Sequence, residues 1–143
     1  MNVKTILAAK GGNVVTIEPT ADLAAAVKLL TERHIGSVVI LGADHRIVGI
    51  LSERDIVRAL AEHGPTLLSE PVGQVMTRNV TTCSEDDTIG DLMGRMTTGK
   101  FRHMPVVRQG KLIGIVSIGD VVKNRVEEIE HESEALRDYI RTA

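Results

Sequence analysis

The sequence is poor in several kinds of residue, and each shortage excludes a class of protein. Aromatic residues make up 1% of the 143 residues, since Phe101 and Tyr139 are the only two. A site that stacks bases on aromatic rings is therefore excluded, and any slot for a flat ring must have aliphatic walls. The core must be aliphatic as well, and the apolar fraction of 43% is ample to form one.

Cysteine is almost absent too, because Cys83 is the only one. An intrachain disulfide is excluded, and with no Cys-x-x-Cys pair and five scattered histidines the sequence has no zinc-binding spacing. Cys83 lies in an apolar strand with no histidine or other base near it in sequence, which argues against a nucleophilic thiolate. We therefore predict a buried structural thiol.

Strong charge and long apolar runs are missing as well. The formal net charge is -2 at pH 7, whereas a nucleic-acid groove needs clustered Lys and Arg to replace counterions along the phosphates. No apolar run approaches the length that spans a bilayer, and residues 1–10 lack the apolar core of a signal peptide. The sequence therefore predicts a soluble, cytoplasmic protein with no nucleic-acid or membrane partner.

A seven-residue pattern occurs twice, as GILSERD at Gly49–Asp55 and as GIVSIGD at Gly114–Asp120. Each copy has a glycine, two β-favouring apolar residues, a serine, two variable residues and an aspartate, and an amphipathic stretch follows. This order predicts a strand that runs directly into a helix, with Ser52 and Ser117 at the two junctions.

Each junction has a structural explanation and a functional one. Ser-x-x-Asp is a helix capping box, in which the serine accepts from an unpaired amide and the aspartate reaches back to the cap. The same helix N-terminus offers N–H groups and a partial positive charge to a phosphate, and Asp55 or Asp120 on the first turn could accept both hydroxyls of a ribose. The two roles can coexist, and two copies in register strengthen the functional one.

The rest of the chain repeats in the same order. Short amphipathic lead-ins at Val3–Leu7 and Val72–Met76 open the copies, and strands at Asn13–Ile17 and Asn79–Cys83 follow. A helix and a hairpin then lead to each seven-residue pattern, so each copy is predicted to be a β-α-β-β-α unit. Each half would be marginal alone, so we expect one shared core. The repeat predicts four segments: a first repeat at 1–66, a linker at 67–71, a second repeat at 72–126 and a C-terminal helix extension at 127–143.

The last helix carries a stripe at alternating steps of four and three residues, and five of its six members are apolar. The stripe is too short to predict an independent coiled coil. Packing on the chain's own repeats and packing on a partner subunit both remain possible, with the partner slightly favoured. The stripe comprises Val122, Val126, Ile129, Ser133, Leu136 and Ile140.

Together these features resemble the tandem CBS domain, named after cystathionine β-synthase. The match covers roughly Val3 to Val126, and its most specific marks are the doubled Gly-x-x-Ser-x-x-Asp pattern, the segment Phe101–Val107 and the segment Thr16–Pro19. The resemblance implies an α+β fold in which two β-α-β-β-α repeats pack through their sheets about a pseudo-twofold axis, followed by an extended C-terminal helix.

The resemblance also implies a function. Two clefts would bind adenosine-containing ligands such as AMP, ATP, NAD or S-adenosylmethionine, without a metal, and the protein would act as a regulatory sensor and not as an enzyme. A homodimer is expected, and an unidentified effector protein is a further possible partner. Neither the physiological nucleotide nor the effector follows from the sequence.

The family's binding residues can be carried onto this chain. Asp55 and Asp120 would hold ribose hydroxyls, while Ser52 and Ser117 would contact ribose or phosphate. Strand residues would line the adenine slots. The expected slot residues are Thr16, Ile17, Val38, Val39, Thr82, Cys83, Met104 and Pro105.

Basic residues should make the two clefts unequal. In the family, basic residues before the second strand of one repeat face phosphates that the other repeat holds, and Lys100, Arg102 and His103 occupy those places here. Arg54 would add a charge to the same cleft. A solvated strand entry is the alternative explanation for Arg102 and His103. The matching places in the first repeat carry little positive charge: His34, Gly36 and Ser37.

Two other function classes remain open. A dimerisation scaffold that binds no ligand would keep the fold without the sites, but both Ser and Asp pairs are intact. An enzyme such as a nucleotide hydrolase would need a base, a nucleophile or a metal constellation, and none is evident. The acidic run Glu85–Asp87 precedes a predicted helix, where the helix dipole explains it better than a metal does.

Overall fold

The computed structural model describes residues 1–142 as five helices, five strands and three short 3-10 turns. The helices are α1 Val3–Lys10, α2 Leu23–Arg33, α3 Glu53–His63, α4 Ile89–Gly99 and α5 Ile118–Thr142. The strands are β1 Thr16–Ile17, β2 Ser37–Leu41, β3 Ile47–Ser52, β4 His103–Arg108 and β5 Lys111–Ser117. The 3-10 turns are Ala43–His45, Pro65–Ser69 and Val72–Gln74. The predicted α+β class, the helix-hairpin-helix order of both repeats and the extended C-terminal helix are confirmed.

The first strand of each repeat is shorter than predicted. In the first repeat, β1 runs parallel to β2, and β2 pairs antiparallel with β3, giving a three-stranded sheet. In the second repeat only β4 and β5 form a sheet, and a single bridge between Cys83 and Val106 replaces the first strand. The rest of the predicted strand Asn79–Cys83 lies along a cleft instead of a sheet edge.

The helices begin and end at residues suited to those positions. Asp22 caps α2 by accepting from the Ala25 amide at 2.8 Å, and Thr88 caps α4 by accepting from the Asp91 amide at 3.1 Å. His34 (φ 54°) and Lys100 (φ 56°) end these two helices in the left-handed conformation, which turns the chain towards β2 and β4. The two repeats therefore place equivalent residues at equivalent turns.

The two lead-ins are exchanged between the repeats. Val3 and Ile6 of α1 are buried among side chains of α4, β4, β5 and α5, which belong to the second repeat. Val72 and Met76 are buried among side chains of α2, β2, β3 and α3, which belong to the first repeat. The expected single core is thus two clusters, each completed by the opposite repeat. Since a buried aliphatic side chain contributes roughly 1.5–3 kcal/mol, each half depends on the other for its stability.

The glycine of the repeated pattern makes this exchange possible. A Cβ at Gly114 would lie 2.6 Å from Leu7 Cδ2 of the first lead-in, and a Cβ at Gly49 would collide with Met76 Sδ of the second. A larger residue would displace the Leu7 or Met76 side chain from the strand, and at Gly49 its Cβ would also lie 3.0 Å from the Thr77 carbonyl oxygen. The glycine is therefore a packing requirement of the strand that leads into each junction.

Helix α5 leaves the body of the protein in its second half. Val121 is buried and pins the first turns, whereas every residue from 129 to 142 is exposed. The exposed fractions of Val126, Ile129, Leu136 and Ile140 lie between 48% and 65%. Within residues 1–142, no helix is both long enough and apolar enough to cross a membrane.

Candidate functional site

Both repeated junctions form the predicted capping box. The Ser52 amide donates to Asp55 Oδ2 at 2.9 Å, and the Asp55 amide donates to Ser52 Oγ at 3.3 Å. In the second repeat the Ser117 amide donates to Asp120 Oδ2 at 2.9 Å, and the Asp120 amide donates to Ser117 Oγ at 3.2 Å. The structural role of the Ser-x-x-Asp pattern is confirmed in both copies. Each box also fixes its carboxylate at the start of a helix.

The opposite repeat supplies one further contact to each aspartate. Thr77 follows the second lead-in, pairs with Ile50 of β3 by two backbone hydrogen bonds, and donates from Oγ1 to Asp55 Oδ1 at 3.1 Å. Lys10 ends the first lead-in and donates from Nζ to Asp120 Oδ2 at 2.6 Å and to the Ile115 carbonyl at 3.0 Å. The two aspartates are related by the repeat, but the partner of one is a neutral hydroxyl and the partner of the other is a cation.

The Lys10 contact changes the electrostatics of Asp120. Partial burial alone would raise the pKa of this carboxyl, but the hydrogen bond and charge of Lys10, with donors from Ser117, hold it below its ordinary value. Asp120 is therefore ionised and already paired with a cation from its own chain. In the sequence Lys10 looks like part of a turn, and only the exchange of lead-ins brings it to this site.

The cleft beside Asp55 brings together most of the predicted ligand residues. It is a cavity of about 620 Å³ between the repeats. The first repeat contributes Ser52, Arg54 and Asp55 to its lining, and the second contributes residues before Cys83 and the entry to β4. The predicted basic residues Lys100, Arg102 and His103 all line it. The family-based expectation that these three face the Asp55 junction thus agrees with the geometry.

The cleft beside Ser117 is smaller, about 380 Å³, and its predicted first-repeat residues are also in place. His34, Gly36 and Ser37 line it opposite Ser117. Lys10 lines it as well, which the sequence did not predict. This cleft therefore has a positive charge, but that charge is already paired with Asp120.

His103 lies in the wall shared by the two clefts. Its side chain lines both cavities, and a Cβ at Gly36 would lie 3.3 Å from its Cε1 atom. Burial is the main cause of its lowered pKa, and the nearby charge of Lys10 lowers it further, outweighing Glu53 and Asp120. A neutral imidazole thus separates the clefts, where the sequence assigned His103 to only one of them.

The expected adenine walls need correction. Val38, Val39 and Met104 are fully buried, because β2 and β4 each lie between a neighbouring strand and the packed helices. The cavity walls are built by residues just before the first strands, including Val14 and Val15 in one cleft and Asn79, Val80 and Thr81 in the other. No side chain of the following eight predicted residues lines either cleft: Thr16, Ile17, Val38, Val39, Thr82, Cys83, Met104 and Pro105.

Cys83 is a buried thiol, as predicted. Its side chain belongs to the core of the second repeat. Burial, and to a lesser degree the charge of Asp87, raises the pKa of the thiol to about 12. The thiolate is the reactive form of cysteine, so this residue is chemically inert at neutral pH.

Two residues of the acidic run before α4 form ion pairs with arginines. Glu85 pairs with Arg108 at 3.1 Å, and Asp87 pairs with Arg95 at 3.1 Å. The Ser84 amide also donates to Asp87 Oδ2 at 2.9 Å. Across residues 1–142, no group of three His, Cys, Asp or Glu side chains is placed to hold a metal ion. The run has an electrostatic and structural role in the loop before α4.

Curated relatives share the repeat along most of the chain. An uncharacterized 17.7 kDa protein of Acidianus ambivalens is 37% identical over 77% of this chain and 66% of its own length. A mitochondrial CBS domain-containing protein of Arabidopsis thaliana is 35% identical over 81% of this chain and 58% of its own length. The chain thus spans less than two thirds of either relative.

Solved structures share the fold. A CBS-domain containing protein from Agrobacterium tumefaciens is 45% identical with a TM-score of 0.85, covering 87% of this chain and 99% of its own. A CBS domain protein from Pyrobaculum aerophilum, solved with AMP, is 27% identical with a TM-score of 0.74, covering 84% and 89%. The CBS domain pair of the protein MJ0100, solved with 5'-methylthioadenosine and S-adenosyl-L-methionine, is 26% identical with a TM-score of 0.79, covering 90% and 98%.

The family model for the CBS domain matches residues 4–62 and again residues 72–127. The two matched segments coincide with the two copies of the repeated pattern and with the two capped strand-to-helix junctions. The chain therefore belongs to the CBS domain family, and it carries two tandem CBS repeats.

Proposed function

We propose that this chain is a regulatory, non-catalytic module that binds an adenosine nucleotide in the cleft beside Asp55. The observation that supports the proposal most strongly is the arrangement of that cleft, where a fixed carboxylate and a helix N-terminus from one repeat face basic residues from the other. Two CBS structures with similar folds were solved with AMP and with S-adenosyl-L-methionine. Binding would be passed on through the arrangement or association of a homodimer, or to an effector protein.

Asp55 would accept the ribose hydroxyls. Its Oδ1 accepts from Thr77, and its Oδ2 accepts from both the amide and the hydroxyl of Ser52. An ionised carboxylate has about four lone-pair positions, so one is free, and a second becomes free when the Ser52 hydroxyl turns towards the ligand. Because the capping box and Thr77 hold the carboxylate in place, little ordering is needed when a ligand binds. Asp55 therefore combines a structural role with a proposed ligand role.

The phosphates would lie against the basic residues. Within residues 1–142, none of Arg54, Lys100 and Arg102 forms an ion pair, and all three are exposed at the cleft. Arg58 also lines the cleft without forming an ion pair within residues 1–142. These four cations attract phosphate and repel the sulfonium of S-adenosylmethionine. We therefore favour AMP, ATP or NAD over S-adenosylmethionine at this cleft. The base would pack on aliphatic wall residues, with Val80 the main candidate.

Calorimetric titration with AMP, ADP, ATP, NAD, NADH and S-adenosylmethionine tests the proposal. The phosphate-bearing ligands should bind, and S-adenosylmethionine should bind more weakly than AMP. If none of the six bound at millimolar concentration while the protein remained folded, the chain would be a ligand-free dimerisation scaffold. Hydrolysis of any nucleotide during the titration would contradict the non-catalytic part of the proposal.

A further inference from the structure

The exposed half of α5 has a pattern of flanking charges that determines how two copies would pair. Written as a heptad, the stripe places Val126, Ser133 and Ile140 at a positions. The d positions are Val122, Ile129 and Leu136. From the first to the last member the stripe is about 27 Å long at 1.5 Å per residue. Its apolar members are between 46% and 65% exposed.

The side chains that flank the stripe carry charges in a fixed order. Lys123, Glu130 and Arg137 occupy the e positions, and Arg125 and Glu132 occupy g positions. All five are exposed except Arg125, which is partly buried. In a parallel pair, a g residue meets the e residue of the partner's following heptad. Arg125 then faces Glu130, and Glu132 faces Arg137, and the twofold axis doubles both contacts.

An antiparallel pair would have the opposite outcome. In that arrangement g residues meet g residues and e residues meet e residues. With all six stripe residues in register, Glu130 would face its own copy, Glu132 would face its own copy, and Lys123 would face Arg137. Every pair of flanking charges would then be of like sign, which is unfavourable.

The flanking charges, and not the a and d residues, determine the orientation. Val126 and Ile140 are β-branched at a, but the d positions combine β-branched Val122 and Ile129 with Leu136, a mixture that does not by itself select parallel pairs. Ser133 is the only polar member of the stripe, and a polar residue at an a position restricts register and oligomeric state. Arg125 already donates from Nη1 to Glu128 on its own helix, but a guanidinium has further donors for Glu130 of the other copy.

We propose that the exposed face of α5 is the docking surface for α5 of a second copy, and that the two helices pair in parallel. The inference rests on the homodimer included in the proposed function, and it adds the surface, the orientation and the charged contacts. The two modules would then lie at the same end of the paired helices. The proposed helix pairing does not depend on which nucleotide the clefts bind.

Cysteine cross-linking tests the orientation. Leu136→Cys places a thiol at a central d position, where parallel pairing brings the two copies within disulfide distance, about 4.4–6.8 Å between Cα atoms. Antiparallel pairing separates the same two residues by about ten helical positions, roughly 15 Å. Asp138→Cys, on the opposite side of the same turn, is the matched control. The native Cys83 does not interfere, because it is buried.

Under mild oxidation Leu136→Cys should form a covalent dimer at least about tenfold faster than Asp138→Cys. Equal rates in a protein that is dimeric by light scattering would overturn the proposed orientation. A monomer at tens of micromolar would overturn the docking surface itself and the dimer in the proposed function. Nucleotide titration of the same sample reports separately on the ligand part of that function.

Charge reversal provides a second measurement that involves no new thiol. Arg137→Glu should raise the dimer dissociation constant by several-fold to about tenfold, because it faces Glu132 in the parallel pair. The double variant Glu132→Arg with Arg137→Glu should restore it. In an antiparallel pair Arg137→Glu would instead face Lys123 and tighten the dimer, so a lowered dissociation constant would refute the proposal. Asp138→Arg is the control outside the seam.

Discussion

The two clefts are built from the same junction and differ in what the opposite repeat places against the aspartate. Thr77 gives Asp55 a neutral hydrogen bond, whereas Lys10 gives Asp120 a salt bridge at 2.6 Å. The Asp55 cleft therefore has a carboxylate without a cationic partner and, within residues 1–142, four basic residues that form no ion pair: Arg54, Arg58, Lys100 and Arg102. The Asp120 cleft satisfies its own charges internally. A repeat can thus preserve backbone geometry while one unrepeated side chain changes the chemistry.

The difference also separates the structural role of the Ser-x-x-Asp pattern from its proposed ligand role. Both junctions keep the capping box with almost the same distances, so both aspartates are needed for the helix start. Only one of them faces the group of unpaired basic residues. The presence of Ser and Asp in both copies therefore indicates two folded repeats, and the surrounding charges distinguish their binding properties.

The largest expected effect comes from breaking the exchange that positions the clefts. Ile6 belongs to the first repeat in sequence but is buried in the core of the second. Ile6→Ala should lower the free energy of unfolding by about 2–5 kcal/mol. Urea denaturation monitored by circular dichroism measures it, with Lys4→Ala, at an exposed position of the same helix, as the comparison. An effect below that of the control would contradict the exchanged packing.

The second-largest effect is expected from replacing the aspartates one at a time, because only Asp55 should affect AMP affinity. Asp55→Ala should weaken AMP binding by about 10- to 100-fold, since charge-assisted hydrogen bonds to ribose contribute roughly 1.5–3 kcal/mol. Asp120→Ala removes an equivalent capping box and is the matched control, and it should leave that affinity nearly unchanged. Calorimetry on both variants decides this. Equal losses would mean that the effect is structural and that Asp55 has no special role.

Arg102 should contribute to binding according to the number of phosphates. Arg102→Ala should weaken ATP by up to about tenfold and adenosine very little, because a charge-assisted contact to phosphate is lost. The loss should shrink at higher ionic strength. Arg108→Ala is the control, because Arg108 lies at the far end of β4 and is paired with Glu85. Equal losses for adenosine, AMP and ATP would show that Arg102 only shapes the strand.

Lys10 should matter for stability and not for the Asp55 cleft. The pKa of Asp120 is lowered from its ordinary 3.8, so the stability it contributes is complete above that value and is lost as the pH falls through the lowered pKa. Lys10→Met should cost about 0.5–1 kcal/mol at pH 7, because the pair is partly exposed. It should cost less once Asp120 is protonated, when the hydrogen bond to the Ile115 carbonyl is what remains. The measurement is denaturation at pH 7 and at a pH low enough to protonate Asp120. Lys28→Met, which removes the exposed Lys28–Glu32 pair, is the control. A pH-independent loss would contradict the ion-pair explanation.

Much of this arrangement could be predicted from local pattern. The Ser-x-x-Asp junctions, the helices and the hairpins depend on short-range capping and periodicity, and they are where the sequence places them. The collection of Lys100, Arg102 and His103 opposite Asp55 followed from the family resemblance, since no local signal relates residues so far apart. Cys83 was correctly expected to be buried, because it has apolar surroundings and no base.

The rest depended on long-range packing. The sequence of each lead-in does not indicate which repeat it packs against. The packing of Leu7 on Gly114 and of Met76 on Gly49 becomes apparent only in the structure. Lys10 could not be assigned without that exchange. The eight residues expected at the adenine slots lie outside the two cavity linings, and Val14, Val15 and Val80 line the cavities instead. These valines look like strand residues in the sequence, but they precede the regular strand.

We propose that the Asp55 cleft is the nucleotide site and that the two clefts differ in their affinity for nucleotide. A crystal structure of the full chain grown with one molar equivalent of ATP tests it most directly. One nucleotide per chain is expected in the Asp55 cleft, with its ribose on Asp55 and its phosphates against Lys100 and Arg102. The Lys10–Asp120 salt bridge should remain intact. Equal occupancy of both clefts, or a nucleotide that has displaced Lys10 from Asp120, would contradict it.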